Sequence, residues 1–398
     1  MKTLIAAELK TSLPRESHAA VLELHEGGNA LVRPDFSAPG SRPGNVLRNP
    51  SILETAERYA QTRDSTSVTA CIRYPDGRRT VWPLRIMRHL GCRIATDLTD
   101  PVTPYSDVAG AALSGEALAL LCDRLQADHG IDALLARRVR ADGGLHLAFA
   151  ERYAGSQIEP AVAPYIDLTA YADFDAYCSR FGKQTRRNRR QRRRRMEEEC
   201  GDLTFEVAGG HERGDEIDTA LTWKREWIAA YDLRSSIFDG GVNERLLREV
   251  CADPSMRVST LSSGGRPVAI EIGSVCGDYY AAYIGAFDPL WARFSMGQEQ
   301  MLRTIAWCFM QGFKRYDLLA DADAYKLRWT DASVAVNDYC VALSPMGNAY
   351  SLIRRLAQSP ARRRLNELPP SVRRSARRYG PMAAGLSAAG AALSLIAD

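Results

Sequence analysis

A short glycine-containing segment that follows a predicted strand has the residue types of an anion-binding site. Ser295, Met296, Gly297 and Gln298 stand at the start of a predicted helix. The first N–H groups of a helix have no partner within it, and they lie at the positive end of the helix dipole. Gly297 would let the backbone approach a phosphate closely, because it has no Cβ. The segment therefore predicts a phosphate site, and a capping box between the Ser295 and Gln298 side chains is the structural alternative.

Two carboxyl groups in predicted strands are candidates for a general base. Glu271 is flanked by Ile270 and Ile272, and Asp317 lies between hydrophobic residues in YDLL. Apolar surroundings disfavour the charged carboxylate and raise its pKa toward the range that suits proton transfer. Strand alternation allows a second interpretation, in which Glu271 is an ordinary outward-facing residue. A base that acts through water is a third alternative.

An arginine-rich helix carries the strongest local charge of the chain. Eight of the ten residues from Arg186 to Arg195 are arginine, and three glutamates follow. Helical geometry places this charge on every face, and the glutamates can pair with arginines four residues earlier. We expect a largely solvated helix, which could also face an anionic acceptor, phosphates or an anionic membrane surface. Nucleic acid is disfavoured as a partner, because no aromatic residues interleave with the arginines.

Composition narrows the class of protein. A chain of 398 residues suits two domains, and its 45% hydrophobic content is typical of globular proteins. The net charge of +4 implies no general polyanion partner. Nine cysteines without a CxxC pair and six scattered histidines predict reduced thiols and no metal site. Since the first residues lack a secretory signal and no apolar run reaches membrane-spanning length, we expect a cytoplasmic protein.

The predicted elements form an α/β (α+β) arrangement with mostly antiparallel sheets. In the first block, SVTACIRY and RRTVWPLRIM predict a hairpin, GEALALLCDRLQADHG a helix and LHLAFA a strand, while residues 35–50 predict a loop. The second block predicts a strand, two helices, three antiparallel strands, a helix, a strand, a short helix and a last strand. No GxGxxG or GxxxxGK[ST] follows a strand, which disfavours Rossmann and P-loop folds. We place the boundaries at 1–160, 161–344 and a basic helical tail, 345–398.

Three stretches of the second block resemble a known family. DFDAYCSRFGKQTRRNRRQRRRRMEEECG, YYAAYIGAFDPLWARFSMGQ and YDLLADADAYKLRW are similar to segments of GNAT-superfamily acetyltransferases of the CelD type. That family is associated with bacterial polysaccharide biosynthesis and is related in fold to the Fem peptidyltransferases. The stretches fall within residues 165–340, and NPSILE, GRRTVWPLR and PYSDV match more weakly in the first block. Met296 replaces the family's proline, and Ala320 and Asp321 stand where a glycine is common.

The resemblance implies tandem GNAT-like domains, of which the first is degenerate and the second binds acetyl-CoA or another acyl-CoA as co-substrate, without a metal. It assigns the coenzyme to residues at the start of the helix and on the aromatic strand, namely Arg293, Ser295, Met296, Gly297, Gln298 and Tyr283. It assigns the acceptor to Asp288, Lys326 and Tyr280. Tyr325 would protonate the leaving thiolate, and the backbone of YYAAYIGAF would polarise the thioester carbonyl.

The expected activity is transfer of an acyl group, in the first place an acetyl group, to a small-molecule or glycan-linked amine between the two domains. By the same resemblance, the acceptor is an amino sugar or amino acid unit of an envelope polysaccharide. Weak contact with an anionic membrane, through the arginine-rich helix or the tail, is a further expectation. Two alternatives remain: a Fem-like transferase that uses aminoacyl-tRNA, and a catalytically degenerate GNAT-like binding or regulatory protein.

Overall fold

The computed structural model describes residues 7–8, 20–27, 47–62, 65–231, 233, 235–238 and 240–357. In these ranges the strands, β1 to β14 in chain order, are Ala7–Glu8, Val21–Glu26, Ser65–Arg73, Arg79–His89, Cys92–Asp97, Ala109–Gly110, Ala133–Arg140, Gln157–Asp167, Leu203–Gly209, Met256–Ser263, Arg266–Cys276, Tyr279–Phe287, Arg315–Asp317 and Ala332–Ala342. The helices, α1 to α10, are Pro50–Ala60, Gly115–His129, His146–Arg152, Phe174–Ser179, Lys183–Cys200, Gly214–Ala230, Val242–Cys251, Met296–Met310, Ala324–Leu327 and Pro345–Ala357. None of the described helices is long and apolar enough to cross a membrane.

One mixed sheet runs through both halves of the chain. Its order is β1-β2-β3-β4-β5-β7-β14-β8-β13-β12-β11-β10-β9, with β6 paired to β4. Only β5–β7 and β12–β13 are parallel among the described strand pairs, and the others are antiparallel. Helices cover both faces of the sheet. This mostly antiparallel sheet with flanking helices confirms the predicted α/β fold class.

The strand order reads the same way from each end toward the middle. Strands β2, β3, β4, β5 and β7 of the first half correspond to β9, β10, β11, β12 and β13 of the second. The last strands are exchanged, because β14 pairs with β7 of the first half and β8 pairs with β13 of the second. The two exchanged strands also pair with each other. The halves are therefore topological copies joined through their final strands.

Separate apolar cores lie on the faces of the sheet. In the first half, α2 and α3 pack on one face around Trp82, Leu118 and Phe149. In the second half, α6 and α7 cover one face, and α1 of the first half joins the same core. The opposite face is covered by α4 and α8, around Tyr177, Tyr280 and other aromatic rings. Both faces of β10–β12 are thus buried, which bears on the direction of the candidate side chains.

Local signals explain several of the elements. The predicted hairpin between β3 and β4 is present, and Gly77 at its turn has a left-handed φ of 83°. The Asp173 side chain caps α4 by accepting a bond from the Ala176 N–H at 2.7 Å, as predicted. The arginine-rich helix α5 ends at Gly201, whose φ of 96° is unfavourable for residues with a Cβ. These elements were correctly predicted.

Two predictions for the first half need correction. LHLAFA, predicted as a strand, belongs to helix α3, and its buried Leu145, Ala148 and Phe149 follow helical spacing. Helix α1 was not predicted, although Asn49 caps it and Pro50 stands at its start. The predicted loop 35–50 falls outside the described residues except for its last part.

The predicted boundary at residue 160 falls inside β8, which runs without interruption from Gln157 to Asp167. Of the predicted basic helical tail, Pro345–Ala357 is the helix α10. Residues 358–398 lie outside the described residues.

Candidate active site

The edge of β12 is open where β12 and β13 separate. These parallel strands pair over three residues of each, whereas β12 continues to Phe287 beside β11. No other strand in the described ranges pairs with this end of β12. The register with β11 shifts after Ile272, which leaves Tyr283 as the extra residue of a bulge. Unpaired backbone N–H groups at such an edge can polarise a carbonyl group.

Tyr283 connects this edge to the first half of the chain. Its hydroxyl donates a hydrogen bond to the carbonyl of Val102. Burial raises the pKa of Tyr283 well above its usual value, so the hydroxyl stays protonated. The structure thus places this predicted coenzyme residue at the bulge, with its hydroxyl directed toward the first half.

Helix α8 begins close to the end of β12. A Cβ placed on Gly297 would lie 3.4 Å from the Phe287 ring. Ser295 has a left-handed φ of 57°, and no side chain caps α8. The Ser295 hydroxyl instead accepts a hydrogen bond from Arg192 Nη1 at 2.8 Å. The predicted capping box is therefore wrong, and the N-terminus of α8 faces the arginine-rich helix.

The corresponding helix of the first half, α2, has a closed N-terminus. The Gly115 N–H donates to Glu151 Oε2 at 3.2 Å, and the Ala117 N–H donates to Ser114 Oγ at 3.2 Å. A carboxylate at this end satisfies the backbone donors and repels an anion. The two equivalent helices therefore differ, and only the N-terminus of α8 lacks a side-chain cap of these two.

Glu271 is buried on the α8 side of the sheet and does not face outward. Its carboxylate accepts hydrogen bonds from the hydroxyls of Tyr280 at 3.1 Å and Tyr316 at 2.7 Å. Burial raises its pKa from 4.5 to about 7, and the two tyrosine bonds oppose that rise. The outward interpretation is wrong. Both carboxylate oxygens already have protein partners, so the geometry offers no direct approach for an acceptor amine.

Asp317 forms a buried ion pair. Its Oδ2 lies 2.6 Å from Arg140 Nη1, and its Oδ1 accepts the Leu319 N–H at 2.8 Å and the Tyr105 hydroxyl at 3.4 Å. The buried Arg140 guanidinium and the two other donors thus occupy both oxygens of this carboxylate. The structure thus gives Asp317 a structural environment, in contrast to its predicted role as a general base.

Cationic side chains gather near the loop that follows β13. Lys326 is buried, and its ammonium donates to the Leu319 carbonyl at 3.1 Å. Burial lowers the pKa of Lys326 to about 8, although Asp323 and Asp321 oppose this change. The Arg138 guanidinium lies 3.8 Å from the Asp321 carboxylate. These groups provide positive charge at the end of β13, on the side where the halves meet.

Tyr325 is half-exposed on the short helix α9. Desolvation, followed by the charges of Asp323 and Glu271, raises its pKa to about 12. A phenol with this pKa is protonated at neutral pH and can donate a proton to a thiolate.

Three other predicted residues have structural partners. Tyr280 is fully buried and cannot contact a substrate, which corrects its predicted role. Asp288 caps the 3₁₀ turn after β12 by accepting the Leu290 N–H at 2.9 Å, as a turn residue would. Arg293 pairs with Glu199 at 2.6 Å on the surface, and its predicted role in coenzyme binding stays a prediction.

The remaining predicted residues lie at the start of α8. The Met296 side chain is buried in the core below the helix, so only its backbone can contact a ligand. The Gln298 side chain is exposed. The backbone N–H of Gln298 donates a hydrogen bond to the Ser295 carbonyl at 2.9 Å.

A polar cavity of about 280 Å³ separates the first half from the loop between α6 and α7. Its lining includes hydroxyls and guanidiniums from both halves: Thr103, Ser106, Arg137, Arg138, Ser235 and Ser236. Arg137 is paired with Asp100 at 3.1 Å. Because Arg138 also reaches the loop after β13, it links the cavity to the open edge of β12.

Sequence reasoning left open which group the arginine-rich helix faces, and it missed the cations from the first half. Arg189, Arg192 and Arg193 line the surface at the start of α8. Their spacing with the buried Met196 is helical and could have indicated an inward face. Arg138 carried no local signal, because its position depends on contacts between the halves. The described residues contain no group of three or more His, Cys, Asp or Glu side chains placed to hold a metal ion.

The second half of the chain matches a known domain family, and the fold resembles solved structures. Residues 183–327 match the acetyltransferase (GNAT) domain family. The structure resembles that of FemX, with 11% identity, a TM-score of 0.52, and coverage of 78% of this chain and 96% of FemX. No curated protein gives a significant match.

Two further structures show weaker likeness. A tandem GNAT protein from the clavulanic acid biosynthesis pathway has 11% identity and a TM-score of 0.45, covering 81% of this chain and 99% of that one. The C-terminal domain of a protein described as a lysylphosphatidylglycerol synthetase, from Agrobacterium fabrum, has 14% identity and a TM-score of 0.47. The match covers 78% of this chain and 92% of that domain. The family match covers residues 183–327, and the fold of the chain resembles that of FemX.

Proposed function

We propose that the protein transfers an acyl group from coenzyme A to an amine. The observation that carries this proposal is the difference between the two equivalent helices. The N-terminus of α8 has no side-chain cap and faces Arg192, whereas Glu151 closes that of α2. An uncapped helix start beside a guanidinium suits the pyrophosphate of coenzyme A. The second half is therefore the donor-binding half.

The chemistry follows from the open edge of β12. The acceptor amine attacks the thioester carbonyl carbon, a C–N bond forms, and the C–S bond breaks. Backbone N–H groups near the Tyr283 bulge stabilise the developing oxyanion. Tyr325 gives its proton to the departing thiolate. Because Glu271 and Asp317 are bonded within the protein, we propose that the proton of the amine leaves through water.

The acceptor enters from the side where the halves meet. The cavity beside Arg138 offers hydroxyl and guanidinium donors, which suit a hydroxylated or anionic acceptor. We propose an amino sugar or amino acid unit of an envelope polysaccharide, in line with the CelD-type resemblance, with Lys326 neutralising an acidic group. Since acyl-CoA is a cytosolic metabolite, we place the reaction in the cytoplasm.

Isothermal titration of acetyl-CoA and longer acyl-CoAs into the full chain tests the proposal. We expect micromolar binding that Gly297→Asp abolishes, because the added carboxylate would repel the phosphates. Gly214→Asp, at the start of α6 where a Cβ would meet nothing within 4 Å, is the matched control, because it adds the same carboxylate away from the donor site. If folded wild-type protein binds no acyl-CoA, the proposal is wrong.

Transfer from aminoacyl-tRNA is the second candidate. Its support is the exposed charge of α5, where Arg187 and Arg190 have no acidic partner among the described ion pairs. The two candidates differ in a simple readout. Co-purified tRNA together with absent acyl-CoA binding would favour the aminoacyl transferase.

A further inference from the structure

Helix α5 has two chemically similar but structurally different faces. Arg186, Arg189 and Arg192 are partly buried, and Met196, which continues the same face, is fully buried. Arg187 and Arg190 are exposed on the other face. The helix is therefore not a uniformly solvated charge, and its inner arginines are held against the second half.

Arg189 is oriented by two aromatic rings. Its guanidinium carbon lies 4.2 Å from the centroid of Phe181 and 4.2 Å from that of Trp329. Because the two ring centroids are themselves only 5.5 Å apart, the rings contact the guanidinium from adjacent directions and restrain it by cation–π interactions. Its Nε atom is buried and has no hydrogen-bond partner among the described residues. The side chain is thus restrained by the rings, and it forms no ion pair among the described residues.

The neighbouring arginines converge on the start of α8. Arg192 donates to Ser295, and Arg192 and Arg193 line the same surface as Gln298. The nearest carboxylate partner of Arg193, on Glu197, is 3.9 Å away. Several guanidiniums that meet at the positive end of a helix repel one another unless an anion lies between them.

The acidic side chains near this surface do not supply that anion. Glu299 is engaged by Arg303 at 3.0 Å. Glu199 is engaged by Arg293. Burial lowers the pKa of Arg189 and the charge of Arg192 adds to this effect, whereas Tyr177, Cys178 and Glu299 oppose it. The excess positive charge is therefore available to a ligand with several phosphate oxygens.

We infer that Arg189 and Arg192 on the inner face of α5, together with the more exposed Arg193 beside them, bind the phosphate groups of the acyl-CoA donor. This inference rests on the proposed function and extends it, because it assigns the phosphates of the donor to arginines of α5. Guanidiniums bind phosphates through paired N–H donors, which suits them to this role. The arginine-rich helix then belongs to the donor site.

Titration of coenzyme A into the full chain tests the inference. We expect Arg192→Gln/Arg193→Gln to weaken binding by about 10- to 100-fold per lost phosphate contact. Arg187→Gln/Arg190→Gln removes the same charge from the outer face of the same helix and should change affinity less than about threefold. Circular dichroism of each variant establishes that it is folded. Arg189→Lys, which keeps the charge but loses the planar stacking, should weaken binding to an intermediate degree.

Pantetheine, which lacks the phosphates, gives an independent readout. The inner-face double variant should bind it as wild type does. If the inner and outer variants weaken coenzyme A binding equally, or if the inner variant weakens pantetheine binding as strongly, the inference is wrong although the proposed function stands. If wild-type protein binds no coenzyme A, both fail.

Discussion

Replacement of Asp317 by asparagine separates a structural from a catalytic role. The substitution keeps the shape and an acceptor for the Leu319 N–H, but it removes the charge that faces Arg140 at 2.6 Å. Arg140 is fully buried and keeps only the partly exposed Asp142 as an ion-pair partner. Breaking a buried ion pair costs about 3 to 5 kcal/mol. Because Asp142 still compensates part of the charge, we expect the lower end, about 3 kcal/mol.

Urea unfolding followed by circular dichroism measures this loss, and for a chain of this size it corresponds to a fall in Tm of about 4 °C. Asp142→Asn is the matched control and should cost less than about 1 kcal/mol, because Asp142 is partly solvated. Acyl transfer is assayed in parallel. An Asp317→Asn protein with wild-type stability but no transfer activity would refute the structural interpretation and restore Asp317 as a base.

Three further outcomes are expected. Because burial raises the pKa of Glu271 to about 7, the folded protein binds the carboxyl proton more tightly than the unfolded chain does. The free energy of unfolding should therefore fall by about 3 kcal/mol as the pH rises from 4.5 to 7. Urea unfolding of Glu271→Gln across this pH range should not show this fall. Because burial opposes the charge of Lys326, Lys326→Met should leave unfolding free energy at pH 7 equal or higher while lowering kcat/KM at least about tenfold; a destabilised, active variant would contradict this. The triple variant Arg187→Glu/Arg190→Glu/Arg194→Glu should lower the affinity for phosphatidylglycerol vesicles, measured by co-sedimentation, by more than about 100-fold. Equal sedimentation of variant and wild type would exclude membrane contact through this face.

The order of elements in the second half was predictable because its signals are local. The glycines at 264, 265 and 277 have left-handed φ values and mark the hairpin turns. Likewise, α8 begins at Met296, as its apolar spacing predicts. These features depend on a few neighbouring residues, so the sequence alone contains the information.

The side-chain environments were less predictable, for two physical reasons. Helices cover both faces of β11, so alternation could not show which face buries Glu271. In α5 the same residue type occupies the inner and outer faces, so its composition hides the inward stripe at Arg189 and Arg192. A short apolar run such as LHLAFA fits a strand or a buried helix equally well, and tertiary packing decided in favour of the helix.

The exchange of the last strands also determines when the edge of β7 can be paired during synthesis. The open edge of β7 receives its partner only when β14 is made, and the pair that joins Arg140 to Val336 spans nearly the whole second half. At translation rates of about 5–20 residues per second, β14 follows β7 by roughly 10 to 40 s. During that interval the first half has an unpaired strand edge, which can bind other chains. Pairing of β14 with β7 therefore closes an edge that stays open to other chains for most of the synthesis of the second half.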